Sequence, residues 1–167
     1  MGTVMLLNWR LDVQRWALLR LQGVAARRRR GPKVARHLAV GERGEFEAMF
    51  YLRRLGYQFV ERRWRSPELR GDLDLIGWDG ETLCFVEVKA RTARDLAPAE
   101  ASVDEQKKAM LRRMARAYRR TLPREDRKDL ALRFDVVSVY LLGQTVECEL
   151  VRDAFAFVSD EEVGFQF

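Results

Sequence analysis

Two short apolar runs, GDLDLIGWDG and TLCFVEVKAR, meet at the dipeptide Asp79-Gly80, and both carry charged residues where a buried strand should carry none. Asp-Gly between such runs is a strong hairpin signal, because a two-residue loop needs the positive φ that glycine adopts freely. Successive side chains of an extended chain alternate faces, so Asp72, Asp74 and Ile76 share one side and Leu73 and Leu75 the other. In the second run Phe85, Glu87 and Lys89 share one side, Val86 and Val88 the other. With Asp79-Gly80 as the loop, Asp74 falls opposite Phe85. Glu87 is then one diagonal step away, roughly 7–8 Å between backbones. A slip of one residue would separate the carboxylates onto opposite faces.

Two carboxylates brought together in a strand-rich region repel and have to be neutralised. Mg²⁺ does this well, since it takes one or two carboxylates and completes its shell with water and phosphate oxygens. Asp74 and Glu87 are accordingly the expected ligands of Mg²⁺ or Mn²⁺. Lys89 is expected to hold the attacking water or to offset charge that builds up on phosphorus. The plainer alternative is that Glu87 and Lys89 form an ion pair on a solvated sheet face. Two helical positions add to the first reading. Glu45 shares a helix face with Met49 and Leu52, and Lys107 shares one with Val103, Met110 and Met114. Each places a charge on an apolar side, and the two charges are opposite in sign. Alternatively, each is an edge residue reaching water. Asp135, flanked by apolar residues in RFDVVSV, reads as structural, paired with Arg133 or a backbone donor.

Around this hairpin the order is α-β-β-β-α-β-β. GERGEFEAMFYLRRLG reads as a helix ended near Gly56, YQFVERRWR as a strand, and the stretch from about Val103 to Thr121 as a helix. ALRFDVVSVYLLG and TVECELV read as the last two strands. The expected fold is α/β, an αβββαβ core with a mixed central sheet flanked by helices. A domain over 37–167 would follow a basic, helical extension over 1–36. The first 40 residues hold nine Lys/Arg and one acid, whereas the remainder holds 22 basic and 24 acidic residues. The basic pI therefore belongs to the extension. That segment suits a nucleic-acid- or partner-binding arm, a targeting peptide, or an extension without a dedicated role.

The single histidine, His37, all but excludes zinc chemistry and histidine-based triads. Hydrolysis by this chain would have to rest on carboxylates, lysine and a hard metal. The two cysteines, Cys84 and Cys148, lack metal-site spacing and read as reduced, buried residues of a cytoplasmic protein. No apolar stretch approaches the roughly 18 residues of a membrane span.

GERGEFEAMFYLRRLGY, GDLDLIGWDG, TLCFVEVKAR, the Lys107 helix and RFDVV together resemble the bacterial YraN family, over about Gly41 to Leu142. That family is similar to PD-(D/E)xK nucleases of restriction-endonuclease-like fold and, in its first half, to archaeal Holliday junction resolvases. The resemblance implies Asp74 and Glu87 as metal ligands, Glu45 as an acid near the metal, Lys89 as the superfamily lysine, and Lys107 as a further site residue. It also implies phosphate contact by Arg91. Arg62, Arg63, Arg112 and Lys107 are expected nucleic-acid contacts from their basic clusters. Two residues depart from the family's habit: Asp72 stands where Glu is usual, and Arg63 where Asn is usual. The expected function is Mg²⁺-dependent endonucleolytic cleavage of DNA, of branched or structured form, with DNA favoured over RNA as partner. A resolvase-like relative would need a homodimer to cut two strands symmetrically. The alternatives are an inactive nucleic-acid-binding module on the same fold and a partner-binding protein.

Overall fold

The computed structural model describes residues 33–94 and 103–157, so the extension expected over 1–36 lies outside the described residues except for its last four. Helix α1 runs Lys33–Arg54, strands β1 to β3 run Gln58–Trp64, Leu73–Asp79 and Thr82–Arg91, and helix α2 runs Glu105–Thr121. A one-turn helix α3 (Arg124–Arg127) leads into β4 (Leu132–Leu142) and β5 (Thr145–Phe155). The α/β architecture and element order are those expected. Helix α1 starts at Lys33, before the Gly41 at which the sequence reading began it.

Helix α1 stops where a Schellman motif closes it. Gly56 sits at φ 99°, its N–H donates to the Arg53 carbonyl, and the Tyr57 N–H donates to the Leu52 carbonyl at 3.1 Å. Leu52 and Tyr57, the pair that such a motif brings into contact, are both buried in the same core cluster. Helix α2 begins at Asp104, whose side chain accepts from the Lys107 N–H at 2.7 Å.

The sheet has the order β1-β2-β3-β4-β5 and is antiparallel except for the β3–β4 ladder. A parallel pair needs a crossover, and the chain between β3 and β4, including α2, makes it. The helices cover opposite faces. On the α1 side Ala48, Leu52, Leu75, Cys84, Val86, Val137 and Val139 are buried. On the α2 side Ile76, Phe85, Leu111, Met114, Tyr118, Phe134 and Val136 are. Central β4, covered on both sides, is accordingly a nearly continuous buried run. Cys84 is buried as expected, but Cys148 only half so. No described helix is long and apolar enough to cross a membrane.

The hairpin corrects one expectation. Asp79 pairs with Thr82, so the loop is Gly80-Glu81, with Gly80 first and at φ 61°. A glycine at that place is what a type II′ loop requires. The ladder pairs Leu75 with Val86 and Ile76 with Phe85, a shift of two residues from the register expected. An even shift preserves every side chain's face. Continued one step, it sets Asp74 against Glu87 directly instead of diagonally.

Candidate active site

The charged cluster lies on the α2 side of the sheet, just beyond the apolar core. Asp74 comes from β2, Glu87 and Lys89 from β3, and Lys107 from the first turns of α2. Lys89 Nζ is 3.0 Å from Glu87 Oε1, and Lys107 Nζ is 3.0 Å from Glu87 Oε2. Glu87 is 4% exposed, so this is not the solvated surface pair of the plainer alternative. Each Glu87 oxygen thus has one ammonium beside it. Asp74 is half-buried and its Oδ2 accepts from the Val88 N–H at 2.8 Å.

The electrostatics follow from that crowding. Burial pushes the Asp74 carboxyl up, and the negative charge of Glu87 pushes it further, to about 7. The Val88 amide and Lys107 pull it back only in part. For Lys107, burial works against the charged form, but Glu87, Asp74 and Asp72 outweigh it and raise the ammonium above its ordinary value. The cluster is thus a pair of carboxylates on neighbouring strands held by two lysines. Two carboxylates this close suit a divalent cation. Among the described residues no group of three or more His, Cys, Asp or Glu side chains is arranged to hold a metal. The donor set in place is therefore the two carboxylates.

Glu45 is the residue that does not join them. It is 7% exposed and clasped by Arg63, whose Nε donates to both of its oxygens at 2.9 and 2.7 Å and whose Nη2 adds a third contact at 2.8 Å. Arg62 stands 3.7 Å from the same carboxylate, its guanidinium 4.3 Å above the Phe46 ring. Glu45 is still near enough to add to the upward push on Asp74. Arg63 also reaches Glu42, at 3.2 Å, and these carboxylates raise its pKa further. Its φ is 53°, a region in which an L residue costs of order 1–3 kcal/mol and asparagine is favoured. The asparagine usual at this position in the resembling family fits that backbone; this chain has spent the strain on a clamp for Glu45.

The expected phosphate contacts are mostly committed elsewhere. Arg63 and Arg62 serve Glu45. Arg112 donates to the Ala156 carbonyl at 3.1 Å and lies 5.5 Å over the Phe155 ring. Arg91 ends β3, half-buried and beside Tyr140. Lys107 is held by Glu87. One residue was missed. Ser138 is fully buried, pairs across the ladder with Lys89, and its hydroxyl has no hydrogen-bond partner among the described residues. Its signal was available: it is the lone small polar residue within VVSVYLL.

The second buried carboxylate behaves differently. Asp135, fully buried, accepts from Tyr57 Oη at 2.9 Å, from Arg133 Nε at 2.8 Å, from Arg133 Nη2 at 3.0 Å and from the Asp153 N–H at 3.0 Å. Both partners expected for it, Arg133 and a backbone donor, are present. Arg133 also holds Asp79 at 2.6 Å. Burial, then Asp135, raises the Tyr57 hydroxyl above its ordinary value, and burial pushes the Cys84 thiol up to about 12. This network closes on itself.

Sequence comparison agrees with the resemblance read above. The family model described as "Uncharacterised protein family UPF0102" matches residues 44–139, which contain Glu45, Asp74, Glu87, Lys89, Lys107 and Asp135. The chain is 46% identical over 124 residues to a UPF0102 protein of Koribacter versatilis, covering 74% of this chain and 84% of that one. It is 43% identical over 129 residues to a UPF0102 protein of Solibacter usitatus, covering 77% and 91%. A UPF0102 protein of Nitratidesulfovibrio vulgaris is 42% identical over 121 residues, covering 72% and 86%. The chain belongs to the UPF0102 family.

Proposed function

We propose that this protein is a metal-dependent phosphodiesterase that cuts nucleic acid, DNA in preference to RNA. The observation that carries the reading is the meeting of Asp74, Glu87, Lys89 and Lys107 at one end of the sheet, two carboxylates and two lysines on neighbouring elements. Asp74 and Glu87 would hold Mg²⁺ or Mn²⁺. A bound divalent ion supplies charge neutralisation for a phosphate oxygen and a more acidic water. Lys89, from the same face as Glu87, would orient the attacking water and offset charge that builds up on phosphorus. Lys107 balances the carboxylate pair while the site is empty and turns toward phosphate when substrate brings its own negative charge. Glu45 assists through water once Arg63 lets go of it. The preference for DNA and the suggestion of a branched substrate cut by a homodimer rest on the likeness to junction resolvases alone.

The test is a panel of labelled linear, branched and single-stranded DNA and RNA incubated with Mg²⁺ or Mn²⁺. Cutting should stop with EDTA and with Lys89→Ala, while binding persists. Wild-type protein that cuts no form under either metal would defeat the reading.

One observation favours a second reading, an inactive nucleic-acid-binding module. Glu87 already has two lysines at 3.0 Å, which neutralise the site without any metal. Titrating Mg²⁺ into wild type and Asp74→Ala by calorimetry separates the two, since the binding module takes up no ion at this site.

A further inference from the structure

Beside the charged cluster, the segment joining β1 to β2 is pressed against α2 and leaves two adjoining hollows. One, of about 260 Å³, is lined by Glu68, Leu69, Arg70, Met110, Arg113 and Met114. The other, of about 320 Å³, is lined by Arg65, Leu69, Arg70, Gly71 and Asp72 among others. Leu69 anchors the segment to the α2-side core. Gly71, at φ 110°, lies so close to α2 that an added Cβ would sit 2.6 Å from Met110 Sδ. The wall is therefore built, not draped.

The hollows lie on the elements that carry the cluster. Asp72 lines one of them and acts on Lys107 electrostatically. Met110 lies one turn along α2 from Lys107, and Arg113 one further turn along, so the three make a stripe of roughly 9 Å. The charges in this groove are unevenly engaged. Arg65 is 3.4 Å from Asp72. Arg70 and Arg113 are exposed and make no hydrogen bond or ion pair with the described residues, and Glu68 is exposed across from them. Two arginines without a partner among the described residues, on a fixed wall near a candidate metal site, match a polyanion.

We propose that this groove carries the sugar-phosphate backbone of the nucleic-acid strand entering the site, with Arg70 and Arg113 as its phosphate contacts. The inference rests on the phosphodiesterase reading and moves the substrate's path away from Arg62, Arg63 and Arg112, which the fold uses internally. Phosphate contacts of this kind position a strand without reading its sequence. The groove covers two to three nucleotides, taking roughly 3.4 Å of rise per nucleotide along a duplex strand.

The test uses the full chain and fluorescent duplex and branched DNA in EDTA, with affinity followed between about 50 and 200 mM salt. Arg70→Ala/Arg113→Ala should bind roughly tenfold more weakly at low salt and lower the salt slope by about 2. Arg124→Ala/Lys128→Ala, which removes two exposed charges beyond the C-terminus of α2, should leave both unchanged. Equal losses in the two double variants would overturn the proposal, as would a cleft variant indistinguishable from wild type. Either result leaves the phosphodiesterase reading standing if wild type still binds and cuts. Wild type that binds no nucleic acid overturns both. All substituted residues are exposed, and matching melting curves exclude unfolding as the cause.

Discussion

Two buried carboxylate clusters sit on opposite faces of one sheet and obey opposite rules. Asp135, on the α1 side, accepts four hydrogen bonds, and the arginine it shares with Asp79 balances both carboxylates. Asp74 and Glu87, on the α2 side, crowd each other, and the charge of Glu87 pushes the Asp74 carboxyl up. The first arrangement is complete within the protein. The second sets like charges together and balances them with two lysines. A buried network that satisfies itself serves the fold, whereas one that crowds like charges is a candidate for a ligand.

The comparison can be broken most decisively at Asp135. Asp135→Ala would take one of two carboxylates from Arg133 and leave the Tyr57 hydroxyl and the Asp153 N–H without their acceptor, and should cost about 3 kcal/mol in urea or thermal unfolding. A loss under about 1 kcal/mol would show that the Asp135 network does not hold the fold. On the other face the large effect should fall on activity. Lys89→Ala should cut turnover by about 10²-fold or more while changing stability little. A variant that unfolds instead would make Lys89 a structural residue.

A third prediction concerns pH. The Asp74 carboxyl titrates near about 7 in the metal-free fold, above its ordinary value of 3.8. Between those values the folded state keeps a proton that the unfolded chain has released, so stability falls as pH rises through that window and levels off above it. Asp74→Asn should flatten the profile and raise the metal-free melting temperature at pH 8 by a few degrees, roughly 1 kcal/mol. Mg²⁺ should raise the wild-type value at pH 8 and leave the variant unmoved. Stability that instead rises across the same pH range would contradict the like-charge account. The smallest effect should come from Arg63→Asn, which relieves left-handed backbone strain but gives up the Glu45 clamp. These changes offset to within about 1 kcal/mol. Divalent-ion affinity should nonetheless increase, because Glu45 becomes available; unchanged affinity would remove Glu45 from the site.

How much of this was legible depends on the kind of signal. β3 was readable end to end because its apolar residues alternate with charges and turn residues bound it. The hairpin register was off by two residues because Asp79-Gly80 was taken as the loop, where Gly80-Glu81 is. The error was harmless, since face assignment depends only on parity. Glu45 was legible as an acid on an apolar helix face, but its capture was not, because it depends on an arginine in a left-handed conformation that no pattern announces. Likewise Arg62, Arg63 and Arg112 read as phosphate contacts because a linear sequence does not reveal which arginines the fold itself consumes. Ser138 could have been found by the same reasoning that found Asp135. The groove at Arg70 and Arg113 could not, as it exists only once the segment before β2 lies on Met110.

Gly44 has a consequence for how the pocket can change state. A Cβ added there would lie 2.4 Å from the Ala90 Cβ, so α1 rests on β3 with its backbone in contact, one residue before Glu45 and one residue after Lys89. Helix and strand are keyed together at the point where both present chemistry. Sliding one past the other would undo that seating. Under the proposed function, exchange of Glu45 between its arginine clamp and the carboxylate pair would be a matter of side-chain torsions, which turn over far faster than whole elements move. The pair would then gain or release a third acid while the scaffold stands still.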